Sequence, residues 1–252
     1  MRRIPRMSFI LAGVPHVAGS SAIEGYWSAR AQRRRGAFLS WVLLVTAGLT
    51  GWTGLDSAGI LRDLLGLASA ACLGLVWLVR PRLDPERWLR GAQGEATTAR
   101  LLERLPRRQW VVLHDRRIPG SRANLDHLVI GPTGVWLVDT KTTRSEVRAR
   151  WHSVRFGGRR LDPGPTVWEA EVVTDRLGIP VRPVIAVHGA GLRRRGGRCG
   201  PVRVLPAAQL VRHLRRGRRR LGRQQIRALG ERAGQVFVPE EQALGRRTIS
   251  GG

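Results

Sequence analysis

Four side chains in this sequence have the types and spacing for metal-assisted chemistry on a phosphate: Glu95, Asp126, Asp139 and Lys141. Asp139 closes the apolar run Val135-Trp136-Leu137-Val138, and Lys141 follows two residues later. Side chains alternate across a strand, so Asp139 and Lys141 leave one face while Val138 and Thr140 leave the other. Asp126 interrupts a second apolar stretch, 125–130, joined to the first by Gly131-Pro132-Thr133-Gly134. That connection reads as a hairpin turn, so Asp126 on the antiparallel neighbour can reach the same face. Glu95 precedes Ala99 by four residues and Leu102 by seven, the spacing of the inward face of a helix. Carboxylates gathered around one point repel one another unless a proton or a divalent cation intervenes, and oxygen donors of this kind suit Mg²⁺ or Mn²⁺. An ammonium beside them can orient an attacking water and offset charge on a phosphate in transfer.

Each of these residues also has a plainer reading. Glu95 can be a first-turn glutamate favoured by the helix dipole, and Asp139 with Lys141 can be a surface ion pair. Composition speaks against the second. Lysine and arginine together number 44, and Lys141 is the one lysine. It stands where a compact point charge does what a delocalised guanidinium does poorly.

The elements that must carry these residues follow from periodicity. Gly91-Ala92-Gln93-Gly94 leads into a helix predicted over 96–105, stopped by Pro106. Strands are predicted at 110–113, 125–130 and 135–138. The expected fold class is α/β with a mixed sheet. His127 should face away from Asp126 and serve packing or hydrogen bonding.

Three segments together resemble the nuclease-related domain (NERD), a branch of the PD-(D/E)xK restriction-endonuclease-like superfamily. They are Gly91-x-x-Gly94-Glu95, the run from Leu125-Asp126-His127 to Gly131-Pro132-x-Gly134-Val135, and Val138-Asp139-Thr140-Lys141. The resemblance covers residues 91–189, with 183–187 matching the later core strand and 167–177 a helix before it. It implies a central mixed sheet flanked by helices, with Glu95, Asp126 and Asp139 as ligands of Mg²⁺ or Mn²⁺ and Lys141 as the catalytic lysine. The family usually has Glu at the position of Asp139, and the superfamily pattern accepts either.

The rest of the chain suggests where such a domain works. Residues 1–35 form a basic N-terminal arm without the long apolar centre of a signal peptide. Residues 36–80 hold two apolar runs, 36–52 and 60–79, each close to the roughly 20 residues that cross a bilayer. They are expected to form a transmembrane hairpin, and residues 81–90, with Pro81 and Pro85, a linker. Arginines before the first run and after the second place both termini and the domain on the cytoplasmic side of a bacterial membrane. Residues 190–252 form an arginine-rich extension, with an edge strand expected at 202–205 and helices at 207–214 and 224–232.

The formal charge of +26 calls for a polyanionic partner, nucleic acid or anionic lipid, although compositional drift toward arginine accounts for it equally well. Two cysteines, Cys72 and Cys199, fit neither a disulfide framework nor a thiolate metal site. Two functions follow: metal-dependent phosphodiester hydrolysis of DNA or RNA, or an inactive nuclease-fold module that binds nucleic acid, lipid or a protein at the membrane.

Overall fold

The computed structural model describes residues 85–239 except 122, 151–152, 190–191 and 193–195, together with Val42, Gly59, Ala68 and Ala71. The arm at 1–35 and, but for those four single positions, the expected hairpin at 36–80 lie outside the described residues. Among the described residues no helix is long and apolar enough to cross a membrane. The chain divides into two compact units between Leu89 and Arg90, and the architecture below is that of the unit from Arg90 onward.

A six-stranded mixed sheet forms its centre. The strands are β1 (Val111–Arg117), β2 (Asn124–Gly131), β3 (Gly134–Thr142), β7 (Val181–His188), β8 (Gly197–Cys199) and β9 (Val202–Pro206), in the order β1-β2-β3-β7-β9-β8. β1, β2 and β3 form an antiparallel meander, β3, β7 and β9 run parallel, and β8 closes the far edge antiparallel to β9. A small second sheet, β4 (Val147–Arg150), β5 (Ser153–Phe156) and β6 (Arg159–Arg160), is inserted after β3.

Helices cover both faces of the sheet, so β3 is buried from Gly134 through Thr140 and reads as a continuous rather than alternating apolar run. On one face α1 (Pro85–Leu102) and α3 (Leu210–Arg215) bring Leu102, Leu210 and Leu214 against Val129, Trp136 and Val138. On the other, α2 (Gly164–Leu177) and α4 (Arg223–Val236) bring Val173, Leu177, Ile226 and Phe237 against Leu128, Ile130 and Leu137.

The structure changes several details of the expected layout. α1 begins at Pro85 and ends at Leu102, so Gly91 and Gly94 lie inside it. The reason is packing: a Cβ on Gly94 would collide with Thr142 Oγ1 and Thr140 Cγ2, so glycine lets the helix cross close over β3. Residues 202–205 do not form an edge strand, because β8 pairs beyond β9. The sheet continues past Gly189 through β8 and β9, and Phe237, after α4, is fully buried in the core. The backbone leaving α4 also lies along the outer edge of β1, with Arg117 N–H donating to the Val238 carbonyl at 3.0 Å.

Candidate active site

The β2–β3 ladder ends at the pair His127 and Val138. Beyond it the two strands part, and the carboxylate of Asp126 takes over the backbone's role: its Oδ2 accepts the Thr140 N–H at 2.7 Å. Asp139 therefore stands in the fork. It is 8% exposed, and both of its oxygens are engaged. Lys141 Nζ donates to Oδ1 at 2.8 Å, and the Thr166 hydroxyl, from the first turn of α2, donates to Oδ2 at 2.9 Å. Lys141 keeps 48% of its side chain exposed, so this is an ion pair with a buried acid and an accessible amine rather than two solvated ends.

Glu95 enters the same field from α1, the helix that Gly94 allows close to β3. Burial, then Asp115, then Asp139 lift its carboxyl to about 7, against the pull of Lys141. Asp126 is raised well above the ordinary carboxylate range by burial and by Glu95 and Asp139, opposed by the Thr140 amide and Lys141. Burial works against the Lys141 ammonium, but Asp139, Asp126 and Glu169 outweigh it and the net shift is upward. The amine is held as a cation at neutral pH.

The structure brings Asp139 and Lys141 into direct contact and sets Asp126 and Glu95 within electrostatic reach of them. Among the described residues, no three acid, histidine or cysteine side chains stand close enough to hold one metal ion as they lie. The donors nonetheless suit a hard divalent cation in kind. They are oxygen donors, and burial followed by carboxylate neighbours raises the carboxyls of Glu95 and Asp126, a penalty on their charged forms that a cation would offset.

Two further acids belong to this neighbourhood, and neither was singled out from sequence. Glu169, half-buried on α2, is raised to about 7 by burial and then by Asp139. Its signal was legible: it lies three residues after Thr166, flanking the buried stripe Thr166, Ala170, Val173, Leu177. Asp115 is 2% exposed and has φ +46°, the one left-handed residue other than glycine among the described residues. The β1–β2 register puts it opposite Asp126, and Asn124 Nδ2 donates to its Oδ1 at 3.3 Å. Nothing in the sequence announces that backbone conformation.

Behind the acids, on the α1 face, lies a neutral polar layer. The Thr140 hydroxyl donates to Thr98 Oγ1 at 3.0 Å, and Thr98 Oγ1 stands 2.7 Å from His188 Nε2. His127 is fully buried and shares a 2.8 Å Nδ1 to Nδ1 hydrogen bond with His114, one ring donating to the other. Burial and Arg116 hold His114 down at about 4, and burial holds His127 well below its ordinary value. Both rings are uncharged at neutral pH.

A carboxylate fork with an accessible amine, set at the diverging ends of two strands, is the geometry on which likeness to known proteins can be judged. Residues 90–187 match the nuclease-related domain, NERD. The matched segment contains Glu95, Asp126, Asp139, Lys141, Asp115, Thr166 and Glu169. An uncharacterized protein of Bacillus anthracis is 36% identical over 73 residues, which is 26% of this chain and 34% of that protein. The chain thus matches about a third of the length of that curated relative. No solved structure matches.

Proposed function

We propose that this chain hydrolyses phosphodiester bonds of DNA or RNA with the help of a divalent cation, at the fork between β2 and β3. One observation carries the reading: the only lysine of the chain is held 2.8 Å from a buried aspartate, itself fixed by a threonine on the opposite side. The NERD match supports a nuclease-related function for this segment.

Glu95, Asp126 and Asp139 would hold Mg²⁺ or Mn²⁺, which when bound supplies Lewis acidity toward a phosphoryl oxygen and a lowered pKa for its water. Lys141, kept protonated by its acidic neighbours, places positive charge where the phosphate gains negative charge. Thr166 and the Thr140 amide fix the rotamers of Asp139 and Asp126, so that the oxygens facing substrate are presented without reorganisation. Glu169, partly protonated near neutral pH, can exchange a proton with water or a leaving oxygen.

The apolar runs at 36–52 and 60–79 support a hairpin anchor, and the arginines flanking them support a cytoplasmic orientation of the domain.

The second reading, a nuclease fold that binds without cleaving, is favoured by one feature. Lys141, Thr166 and the Thr140 amide already engage the oxygens of Asp139 and Asp126, so the fork is satisfied without a cation. Metal titration of wild type, Asp126→Ala and Asp139→Ala separates the two. The hydrolytic reading expects Mg²⁺ or Mn²⁺ to raise the melting temperature of wild type alone. A metal response equal in all three, or absent from all, supports the module.

A further inference from the structure

A cluster of exposed arginines lies at the end of the sheet opposite the acid fork. The turn 131–134 between β2 and β3 lies seven residues of β3 before Lys141, roughly 23 Å at ~3.3 Å per residue. Three basic segments converge on this turn. The backbone N–H groups of Arg220 and Leu221 donate to the Pro132 carbonyl at 2.7 and 3.2 Å. Arg182 donates to the Thr133 carbonyl and lies 3.6 Å over the Trp136 ring. Trp110, which follows Arg107 and Arg108, packs its ring where a Cβ on Gly131 would fall.

Beside the turn is a recess of about 430 Å³ lined by Arg107, Arg108, Trp110, Arg223, Arg227 and Glu231, among others. Glu231, its one acid, is held by Arg227 at 3.0 Å. At the end of α3 and in the loop after it, Arg215, Arg216, Arg218, Arg219 and Arg220 are all exposed, and among the described residues their side chains enter no ion pair. Random drift toward arginine would leave acids interspersed with them. Instead no aspartate or glutamate occurs between Asp175 and Glu231.

We infer that this end of the molecule is a phosphate-backbone anchor for nucleic acid, separate from the acid fork. Like-charged guanidinium groups crowded without counter-charge are stabilised by a polyanion, and each phosphate neutralised releases counterions. Planar guanidinium forks match phosphate oxygens in pairs, and a recess walled by arginines admits a backbone that a flat bilayer surface cannot supply. An interfacial lipid-binding surface also presents large apolar side chains for insertion. The exposed large hydrophobics among the described residues are Val42 and Trp168, and Trp168 lies on α2 beside Thr166 and Glu169, at the acid end. The anchor is independent of hydrolysis, so it stands or falls apart from the function proposed above.

The test uses the full chain in non-ionic detergent and a fluorescent 20-base-pair duplex, with the dissociation constant measured across a salt series. The triple variant Arg216→Gln, Arg218→Gln, Arg219→Gln should weaken binding about tenfold or more and reduce the magnitude of the salt slope by roughly 2–3, at ~0.9 for each phosphate no longer neutralised. A control with equal charge loss in the small sheet, Arg155→Gln, Arg159→Gln, Arg160→Gln, should change affinity by about twofold or less. Equal weakening by both triples would show a bulk charge effect and overturn the anchor, as would unchanged binding in the first. If the first triple instead abolishes binding to micelles doped with phosphatidylserine while leaving the duplex affinity intact, the partner is lipid and the inference fails.

Discussion

Replacing Glu169 by Gln should make the protein more stable at pH 8 and leave it unchanged at pH 4.5. Glu169 has its carboxyl lifted from 4.5 to about 7 by burial and by Asp139. A folded-state pKa raised above the unfolded value means that the folded state binds more protons between those limits, so stability is present below pH 4.5 and falls as pH rises to 7. The full shift corresponds to about 3.5 kcal/mol at ~1.4 kcal/mol per unit. Because the side chain is only half-buried, about 1–2 kcal/mol is the appropriate figure after solvent screening. Glutamine keeps the shape and cannot ionise, so that destabilisation disappears. In a unit of this size the gain corresponds to a rise in melting temperature of about 3–6 °C. Circular-dichroism melts of wild type and Glu169→Gln from pH 4.5 to 8 measure it. A variant less stable than wild type at pH 8, or a difference independent of pH, would refute the electrostatic account of the fork.

Other expectations follow from the same geometry. His114 is held at about 4 against 6.5 unfolded, so its own contribution to stability rises with pH between about 4 and 6.5; the stability of wild type relative to His114→Gln should rise over that window, and a difference that does not change with pH would count against a neutral His114–His127 pair. Gly94→Ala should cost about 1–3 kcal/mol by forcing α1 away from Thr142 and Thr140, with Thr142→Ala recovering part of that cost in a double-mutant cycle. Thr166→Val should leave a buried Asp139 oxygen without its donor at a cost of about 1–2 kcal/mol and lower any cleavage rate, and Thr166→Ser should restore both.

Much of the site was legible because strand alternation and hairpin chemistry are local. Asp139 and Lys141 share a face, and Gly131-Pro132-Thr133-Gly134 turns between β2 and β3 as periodicity requires. What escaped depended on distant packing. Gly94 reads as a loop residue, yet it stands inside α1, where the missing side chain leaves room for Thr142, a proximity invisible to a local pattern. Residues 202–205 look like an edge because β8 is a three-residue strand rich in glycine and arginine, too short to signal itself. The segment after Gly189 reads as a charged appendage because its arginines mask the apolar positions Leu210, Leu214, Ile226 and Phe237 that complete the core. Asp115 combines burial with a left-handed backbone that no local pattern in β1 announces.

The most direct measurement is cleavage of labelled duplex DNA and structured RNA by the purified chain with Mg²⁺, with Mn²⁺ and with chelator, in parallel with Lys141→Met. Metal-dependent cleavage in wild type, slowed about a hundredfold or more in a Lys141→Met variant that melts cooperatively, is the predicted result. Equal rates in the two proteins, or intact substrates in the presence of either metal and folded wild type, would contradict a hydrolytic site at the β2–β3 fork.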